Sequence, residues 1–467
     1  MKPLPLLGLL LLAAAPGAAG EQPVTIAIDA GARRQTIAGF GGTVGWIYPT
    51  REKLPEVADL LFKDLGASIL RLSALTRNGD PTDEGSPEPE RDPAGPNAID
   101  WKRFDFTSCE AEQAAFARAA AERGVKTIVA ASWSPPGWMK ENGSRRWGGA
   151  LKPGMEPELA KLWLAYLLWM RHSGKVDITA VAVQNEPEVS WSYPTASFSP
   201  QGLDRAARAL LARLAAEKGA PKVKLLYPEV SQLGRIQPYL EAMSPETLAA
   251  AEAISVHAYN LSVDYYDLDR YRGLWREARR MFDKYRKPLW LTEFSNSPGA
   301  FSGKNQGSWE EALAWARHLH LALVEGGCSA ALFWGLYFDK KGEALVYAEK
   351  NQAERCEITP KFYTSRNFFK FVRPGAVRVE SSPTEGCMET SAFWHPERRE
   401  LVAVVINSGG ERRLGAFLVR GLGRPARTEM HRTSRDEKCV ALDPAREREG
   451  DHLIFNAQSV TTVVFGY

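Results

Sequence analysis

Residues 180–187 (AVAVQNEP) and 288–297 (PLWLTEFSNS) each join a short apolar run to a glutamate, Glu186 in the first stretch and Glu293 in the second. A continuous apolar run of this length predicts a β-strand buried on both faces, as in a parallel sheet covered by helices. A carboxylate directly after such a strand does not help to build a core. The two stretches therefore predict a parallel α/β fold with its chemistry at the carboxyl ends of the strands.

Comparable apolar runs recur along residues 39–370 and alternate with segments of helical periodicity. The strand candidates are residues 39–45, 68–72, 127–132, 180–184, 223–227, 253–257, 288–292 and 330–334, and the helix candidates are residues 110–122, 157–172, 201–217, 269–285 and 309–325. Eight strands that alternate with helices predict a (β/α)8 TIM barrel. The alternative is an open doubly wound sheet, but no GxGxxG motif follows any of these strands.

The chain changes character after residue 371, where short alternating runs are separated by Gly, Pro and charged turns. This pattern predicts an antiparallel β-sandwich, with strand candidates at residues 377–379, 389–394, 401–406, 416–419 and 460–465. Residues 24–28 (VTIAI) also alternate but have no partner in a barrel that begins near Gly39. We therefore expect a barrel of residues 39–370 and a side β-sandwich domain built from both chain ends, residues 21–38 and 371–467.

Other segments indicate location and partners. Residues 1–20 (MKPLPLLGLLLLAAAPGAAG) combine a positive start, an apolar run and small residues, which is typical of a secretory signal peptide. We therefore expect a secreted or periplasmic protein without a membrane anchor. A net charge of +3 over 467 residues argues against a nucleic-acid surface. The Pro- and acid-rich residues 79–96 predict a long loop on the C-terminal rim of the barrel.

The cysteines give limited information. They are Cys109, Cys328, Cys356, Cys387 and Cys439, and an odd count leaves at least one thiol unpaired. We expect Cys328, which precedes an apolar strand, to be buried and free. Cys387 and Cys439 both lie in the C-terminal segment, where they could form a disulfide. The sequence has no CxxC motif and no His/Cys cluster, so we expect neither a metal nor another cofactor.

The ends of the predicted strands are unusually polar or aromatic, because they carry Arg71, Trp133, Asn185, Glu186, His257, Tyr259, Glu293 and Trp334. Single members of this set have ordinary explanations. Glu186 can begin a helix, where the dipole favours an acid, and His257 can be a packed core residue. Their joint placement at one end of the barrel favours an active site.

Two carboxyl groups across a barrel mouth are suited to glycoside hydrolysis. We expect Glu186 to act as acid/base and Glu293 as nucleophile. A separation of about 5–5.5 Å would allow direct attack and retention of configuration. We expect Arg71 and Tyr259 to keep Glu293 ionised, and Asn185 to bind the sugar 2-hydroxyl. Trp133, His257 and Trp334 are the other predicted substrate-binding residues.

Several motifs resemble glycoside hydrolase family 30, in the clan of retaining (β/α)8 hydrolases, over essentially the whole chain after residue 20. They are QTIAGFGGT at residues 35–43, ASWSPPGWMKENG at 131–143, AVQNEPE at 182–188, HAY at 257–259, LWLTEFS at 289–295 and KFVRPGAVRV at 370–379. The resemblance implies a β-sandwich built from both chain ends and the two-glutamate mechanism.

The resemblance favours the bacterial xylanase branch and therefore a xylan-type polysaccharide or oligosaccharide as substrate. We also expect a monomer. Members specific for glucuronate-decorated xylan carry an arginine after the eighth strand, whereas residues 337–341 (YFDKK) have none. Exo-acting β-glycosidases and β-1,6-glucanases or galactanases are the alternatives within the same class. A carbohydrate-binding protein without catalysis is the alternative from a different class.

Overall fold

The computed structural model describes residues 23–44, 46–74, 97–101, 109–260, 262–297, 304–349, 352–383 and 385–467. The predicted signal peptide at residues 1–20 and the predicted rim loop at residues 79–96 lie outside these residues.

Eight parallel strands form a closed barrel. After the N-terminal strand β1 (Val24–Thr36), they are β2 (Gly39–Val44), β3 (Ile69–Ala74), β4 (Thr127–Ser132), β5 (Ala180–Ala182), β6 (Lys224–Val230), β7 (Ala251–His257), β8 (Leu289–Glu293) and β9 (Cys328–Phe338). Each strand pairs in parallel with the next, and β9 also pairs with β2, which closes the ring. The predicted barrel is confirmed.

The helices cover the outside of this barrel, and every predicted helix is present. They are α1 (Leu54–Ala58), α2 (Cys109–Glu122), α3 (Glu156–His172), α4 (Pro200–Ala216), α5 (Ile236–Ala242), α6 (Pro245–Ala250), α7 (Leu268–Phe282), α8 (Trp309–Val324) and α9 (Pro360–Phe369). Side chains cap several N-termini; Ser199, for example, accepts a hydrogen bond from the Gly202 backbone N–H and so begins α4. Among the described residues, none of the helices has the length and apolar character that crossing a bilayer requires.

A hairpin that the sequence did not indicate follows the last barrel strand. Its strands are β10 (Ala344–Glu349) and β11 (Gln352–Ile358), and β10 pairs in parallel with the end of β9. Gly335 permits this close approach, since a Cβ atom there would lie 2.3 Å from the Glu343 carbonyl oxygen. The hairpin thus brings a short 3-10 turn, Lys341–Glu343, to the mouth of the barrel.

The side domain is one sheet that contains both chain ends. Its other strands are β12 (Val377–Pro383), β13 (Met388–His395), β14 (Glu400–Asn407), β15 (Arg413–Arg420), β16 (Arg427–Thr433), β17 (Val440–Leu442), β18 (Arg448–Glu449), β19 (His452–Phe455) and β20 (Ser459–Gly466). Strand β1 lies between β12 and β15 in this sheet. Its pairing with β15 is parallel, whereas its pairing with β12 is antiparallel. The predicted side domain is confirmed, with this one parallel pair added to the antiparallel pattern.

Alternating residues of the side domain serve two cores. On β14, Leu401, Ala403 and Val405 pack inside the domain, together with residues of β1 and β20. The residues between them, such as Val402 and Val404, pack against the barrel's outer layer of helices. The two-residue period of a strand therefore attaches the side domain to the barrel through one face of the sheet.

Cys328 is buried and free, as expected. Cys387 and Cys439 are also free thiols, so the disulfide considered between them is wrong. The sheet order explains why. Cys387 precedes β13 and Cys439 precedes β17, and three other strands lie between these two in the sheet.

Asn367 on α9 links the barrel to the side domain through buried hydrogen bonds. It donates to Thr462 Oγ1 at 2.9 Å and accepts from Thr433 Oγ1 at 2.5 Å. We predict that Asn367→Ala lowers the free energy of unfolding by about 1–3 kcal/mol, because both threonine hydroxyl groups lose a buried partner. Chemical denaturation measures this loss. The control is Gln237→Ala, which removes an exposed amide that bonds only within its own helix. Equal unfolding midpoints for the two variants would contradict the prediction.

Candidate active site

A cavity of about 210 Å³ opens at the carboxyl ends of the barrel strands. It is lined by Trp46, Trp133, Glu186, Val189, Trp191, Tyr193, Ser231, Tyr259, Glu293, Ser297, Trp334, Lys340 and Glu343. Five of the predicted site residues are among these. The other three, Arg71, Asn185 and His257, are buried and contact the two glutamates or the groups that hold them. The structure therefore brings all eight together.

Glu186 and Glu293 face each other within this cavity. One oxygen of each carboxyl group and one ring nitrogen of His257 all lie within 4.8 Å of one another. Each glutamate is only 5% exposed. This close approach fits carboxyl groups about 5–5.5 Å apart, the spacing typical of direct attack on a sugar carbon, better than the about 6.5–9.5 Å that accommodates an intervening water.

The backbone at Glu186 is held in an unusual conformation. Its φ of +47° lies in the left-handed region, as does the φ of +66° at Glu229 near the end of β6. The Glu186 N–H donates to the Glu229 carbonyl oxygen at 2.9 Å, so the two strand ends fix each other. Such conformations cost free energy and persist where neighbouring structure imposes them, which is common at functional sites.

Arg71 is the buried centre of the site. Its Nη1 donates to Glu293 Oε2 at 2.8 Å, and its Nη2 donates to Asn185 Oδ1 at 2.6 Å and to Glu229 Oε2 at 2.8 Å. The guanidinium carbon also lies 4.9 Å from the centre of the Trp133 ring. The planar fork of an arginine can satisfy several oxygens in fixed directions, so Arg71 orients residues from three other strands at once.

His257 forms a second positive centre. Its Nδ1 lies 2.9 Å from Glu186 Oε1, and its Nε2 lies 3.4 Å from Glu229 Oε2. Burial lowers the pKa of His257, but the charge of Glu293 and the hydrogen bonds to the other two carboxylates outweigh burial and raise that pKa to about 10. His257 is therefore an imidazolium at neutral pH, rather than a neutral core histidine.

Glu229 is a site residue that the sequence analysis missed. Burial raises its pKa, but Arg71 and His257 oppose burial and bring the pKa far below its usual range. Glu229 is therefore an anion that touches both cations. The sequence feature that could have identified Glu229 is its place in YPEV (residues 227–230), at the end of the predicted strand at residues 223–227.

The pKa of Glu293 is raised to about 7, mainly by burial, with a further contribution from the charge of Glu186. His257 and Arg71 act in the opposite direction. Glu293 therefore titrates as a carboxyl group coupled to its charged neighbours rather than in isolation. The carboxyl cluster retains a proton up to about neutral pH, whereas we had expected Arg71 and Tyr259 to keep Glu293 ionised.

Tyr259 is placed differently from the expectation. The Tyr259 ring lines the cavity. Its hydroxyl group lies 3.4 Å from Ser295 Oγ, and within the described residues it forms no hydrogen bond to Glu293. Burial and the charge of Glu293 raise the pKa of Tyr259 well above its usual value. A different tyrosine contacts the carboxyl pair, because Tyr193 donates to Glu186 Oε2 at 3.3 Å.

Aromatic rings form one wall of the cavity. Trp46 lies at its centre, with ring centroids 5.4 Å from Trp334, 6.0 Å from Trp133 and 6.3 Å from Tyr193. Trp133 and Trp334 were predicted, but Trp46 and Tyr193 were not. Trp46 follows the end of β2, so the rule that identified the other two could also have found it. Tyr193 lies on a long loop whose path the sequence does not indicate.

A third cavity carboxylate, Glu343, was also missed. It accepts hydrogen bonds from Trp334 Nε1 at 2.8 Å and from Ser297 Oγ at 3.2 Å. Lys340 Nζ lies 3.9 Å from it. Burial raises the pKa of Glu343, and Lys340 opposes that shift. The carboxylate belongs to the turn before β10, so its position depends on the unpredicted hairpin.

Glu186, His257 and Glu293 also form a group whose spacing could hold a metal ion. Within the described part of the chain, Arg71 and His257 already supply two positive charges to these carboxylates. The site therefore has cations of its own where a metalloenzyme would place an ion.

A family model described as the glycosyl hydrolase catalytic core matches residues 163–320. The glucuronoxylanase XynC of Bacillus subtilis (strain 168) is 25% identical over 307 residues, which is 62% of this chain and 62% of that protein. A second glucuronoxylanase XynC from Bacillus subtilis is 25% identical over 416 residues, 84% of this chain and 79% of that protein. The first of these matches thus spans less than two thirds of the relative's length.

The solved structure of Xyn30A from Clostridium acetobutylicum, a glycoside hydrolase family 30 subfamily 8 xylanase, has a similar fold. The TM-score is 0.73 at 21% identity, with 95% of this chain and 100% of that chain covered. Together, the sequence relatives and this fold confirm the resemblance to glycoside hydrolase family 30 and to its xylanase-like members.

We predict that Glu229→Gln lowers the pKa of His257 from about 10. The substitution removes a negative charge and a hydrogen-bond acceptor that stabilise the imidazolium, so the proton leaves at lower pH. NMR titration of the His257 ring measures the change, with His257→Asn used to assign its signals. The control is Glu310→Gln, which neutralises a half-exposed carboxylate paired with Arg435. An unchanged His257 titration in Glu229→Gln would contradict this account.

Proposed function

We propose that this protein, as a family 30 type glycoside hydrolase, is a secreted retaining enzyme that cleaves a β-linked glycan by double displacement. Glu186 is the acid/base and Glu293 is the nucleophile. The observation that carries the proposal is the pair of buried carboxyl groups, whose oxygens approach within 4.8 Å inside an aromatic-walled cavity. This spacing favours direct attack by one carboxylate on the sugar.

In the first step, Glu293 attacks the anomeric carbon while the bond from that carbon to the leaving-group oxygen breaks. The leaving oxygen takes the proton of Glu186, and a glycosyl ester of Glu293 forms. Oε1 of Glu293 is the atom better placed to attack, because Oε2 is held by Arg71 at 2.8 Å. Since attack occurs opposite the leaving group, the sugar configuration inverts once.

In the second step, a water molecule attacks the same carbon from the side of Glu186. Glu186, now a carboxylate, accepts the proton of this water, and the ester bond to Glu293 breaks. The second inversion restores the original configuration, and both glutamates return to their starting states. His257 at 2.9 Å and Tyr193 at 3.3 Å hold the Glu186 carboxyl group throughout.

The aromatic wall and the cavity charges indicate the substrate. Trp46, Trp133 and Trp334 offer apolar faces that match the C–H faces of sugar rings. The relatives are named glucuronoxylanases, and we propose a xylan-type backbone as substrate. We propose an undecorated, neutral backbone because the cavity disfavours an anionic group. Glu343 lines the cavity, and Lys340 is the only cation among its described lining residues. A glucuronate group would meet carboxylate repulsion here without an arginine fork to bind it.

The signal-like residues 1–20 support the proposal that the protein is exported, where it would meet polysaccharide. We further propose that it acts as a monomer and needs no metal, since Arg71 and His257 supply positive charge beside the two catalytic carboxyl groups.

We predict that Glu186→Ala and Glu293→Ala respond differently to azide. Glu293→Ala loses about 10³-fold or more in turnover on an aryl β-glycoside of a xylose oligosaccharide, because the ester cannot form. Glu186→Ala loses about 10²–10⁴-fold on unactivated oligosaccharides and less on an aryl glycoside, whose leaving group needs little protonation. NMR of the azide products should show the β-anomer from Glu186→Ala and the α-anomer from Glu293→Ala.

The control for these assays is the wild-type enzyme with a chelator present, which should keep its activity. Near-wild-type turnover by Glu293→Ala would refute the role of the nucleophile, and the same azide anomer from both variants would refute the assigned pair.

We predict that kcat/KM on the aryl glycoside falls as the pH rises above about 7, the value to which the pKa of Glu293 is raised. Below this pH the carboxyl cluster around Glu293 carries the one proton that catalysis needs, and above it that proton is lost. In Glu186→Gln this alkaline decline should disappear. Glutamine has no acid proton to lose, and removal of a neighbouring charge lowers the pKa of Glu293. An alkaline decline that persists in Glu186→Gln would contradict the coupled pair.

A further inference from the structure

Two tryptophans next to the cavity are exposed. Trp147 is 62% exposed and Trp191 is 40% exposed, although isolated large apolar side chains are normally placed in the core. The backbone N–H of Trp147 donates to the backbone carbonyl oxygen of Trp191 at 2.8 Å, so the two residues are neighbours on adjoining loops. Trp191 also lines the cavity. Trp191 therefore carries the aromatic lining of the cavity toward the protein surface, where Trp147 is its backbone neighbour.

The loop that carries Trp147 is built to present it. Trp147 has a φ of +60°, which a bulky side chain rarely adopts. The Asn142 side-chain amide donates to three consecutive carbonyl oxygens, those of residues 146–148. The next residue is Gly148, and a larger residue would not fit there, because a Cβ atom would lie 2.6 Å from Ser197 Oγ. A strained residue that its surroundings hold in place is typical of a functional position.

A buried threonine joins the two tryptophan loops. Thr195 Oγ1 accepts from the Gly148 N–H at 2.9 Å and from the Trp191 N–H at 3.2 Å. The Thr195 carbonyl oxygen in turn accepts from the buried Lys140 Nζ at 2.6 Å. Thr195 is itself buried, so these bonds tie both tryptophan loops to one internal residue. Binding a ligand there would require little ordering of the loops.

The position of the pair relative to the catalytic groups indicates what it binds. Trp191 lies on the loop that begins at Glu186, and Tyr193 on the same loop contacts the Glu186 carboxyl group at 3.3 Å. The acid must touch the oxygen that leaves with the departing part of the glycan. The sugars of the departing part therefore lie on the side of Glu186, where Trp191 and Trp147 continue the surface.

We propose that Trp147 and Trp191 form a platform that binds the leaving-group side of an extended glycan, so that the enzyme cleaves internal linkages. This inference rests on the proposed hydrolase function. The indole faces stack on the C–H faces of successive sugar rings beyond the scissile bond. A substrate with only a short leaving group does not reach Trp147, which is the outer member of the platform.

The test compares Trp147→Ala with the wild-type enzyme on a long linear xylo-oligosaccharide and on an aryl β-glycoside with the same glycone. The ratio of kcat/KM for the oligosaccharide to kcat/KM for the aryl glycoside should fall about 3- to 10-fold, as expected for the loss of one aromatic stacking contact. Trp147→Tyr, which keeps an aromatic face, should restore most of the ratio. Leu418→Ala, which removes an exposed apolar side chain from the side domain, should leave the ratio unchanged.

Binding is measured separately by calorimetry with the same oligosaccharide in a Glu293→Gln background. Addition of Trp147→Ala should raise Kd by about 3- to 10-fold. This measurement needs no turnover, so it tests the platform even if the catalytic assignment fails. Inactivity of the wild-type enzyme on both substrates would instead refute the proposed function. An unchanged ratio together with an unchanged Kd would overturn the platform.

Discussion

Charge balance among buried side chains at the barrel mouth is the constraint on which the site depends. Two buried cations, Arg71 and His257, face three buried carboxyl groups, those of Glu186, Glu229 and Glu293. Unbalanced charge at such burial would be costly, so the cluster is neutral only when one carboxyl group holds a proton. In the proposed mechanism this neutrality is preserved. When Glu186 loses its proton to the leaving group, Glu293 loses its negative charge to the ester bond.

The parallel barrel makes this cluster possible, because every strand delivers its last side chains to the same rim. That rule allowed the sequence to predict Arg71, Glu186 and Glu293, each beside a clear apolar run. It failed for Glu229, because the predicted strand ended at Tyr227 whereas β6 continues to Val230. Sequence order also cannot show that Glu229 touches both cations, since that depends on the positions of strands far apart in the chain.

The loops and the side domain were harder to predict for other reasons. Strands β17, β18 and β19 have only two to four residues each, and β16 (RTEMHRT) consists mostly of polar residues, so none of them shows the alternation that marked the other strands of their sheet. The hairpin of β10 and β11 lies beyond the closed ring, where no rule of barrel architecture requires a strand. Glu343 and Tyr193 depend on such segments. In contrast, the isolated strand at residues 24–28 was correctly assigned, because a barrel that begins at Gly39 leaves it without a partner.

The pairing of β1 also affects how the polypeptide acquires its structure. Ile26 lies opposite Pro383, and Val24 lies opposite Gly415, so the first strand emerges long before either neighbour has been synthesised. Until then the backbone N–H and C=O groups of β1 are unpaired and can bond to strands of other chains, which is a known source of aggregation. Contacts this distant along the chain also form slowly. The pairing of β1 is therefore a late step in the folding of this protein. Prematurely terminated chains would expose the unpaired edges of β1, which quality-control factors could recognise.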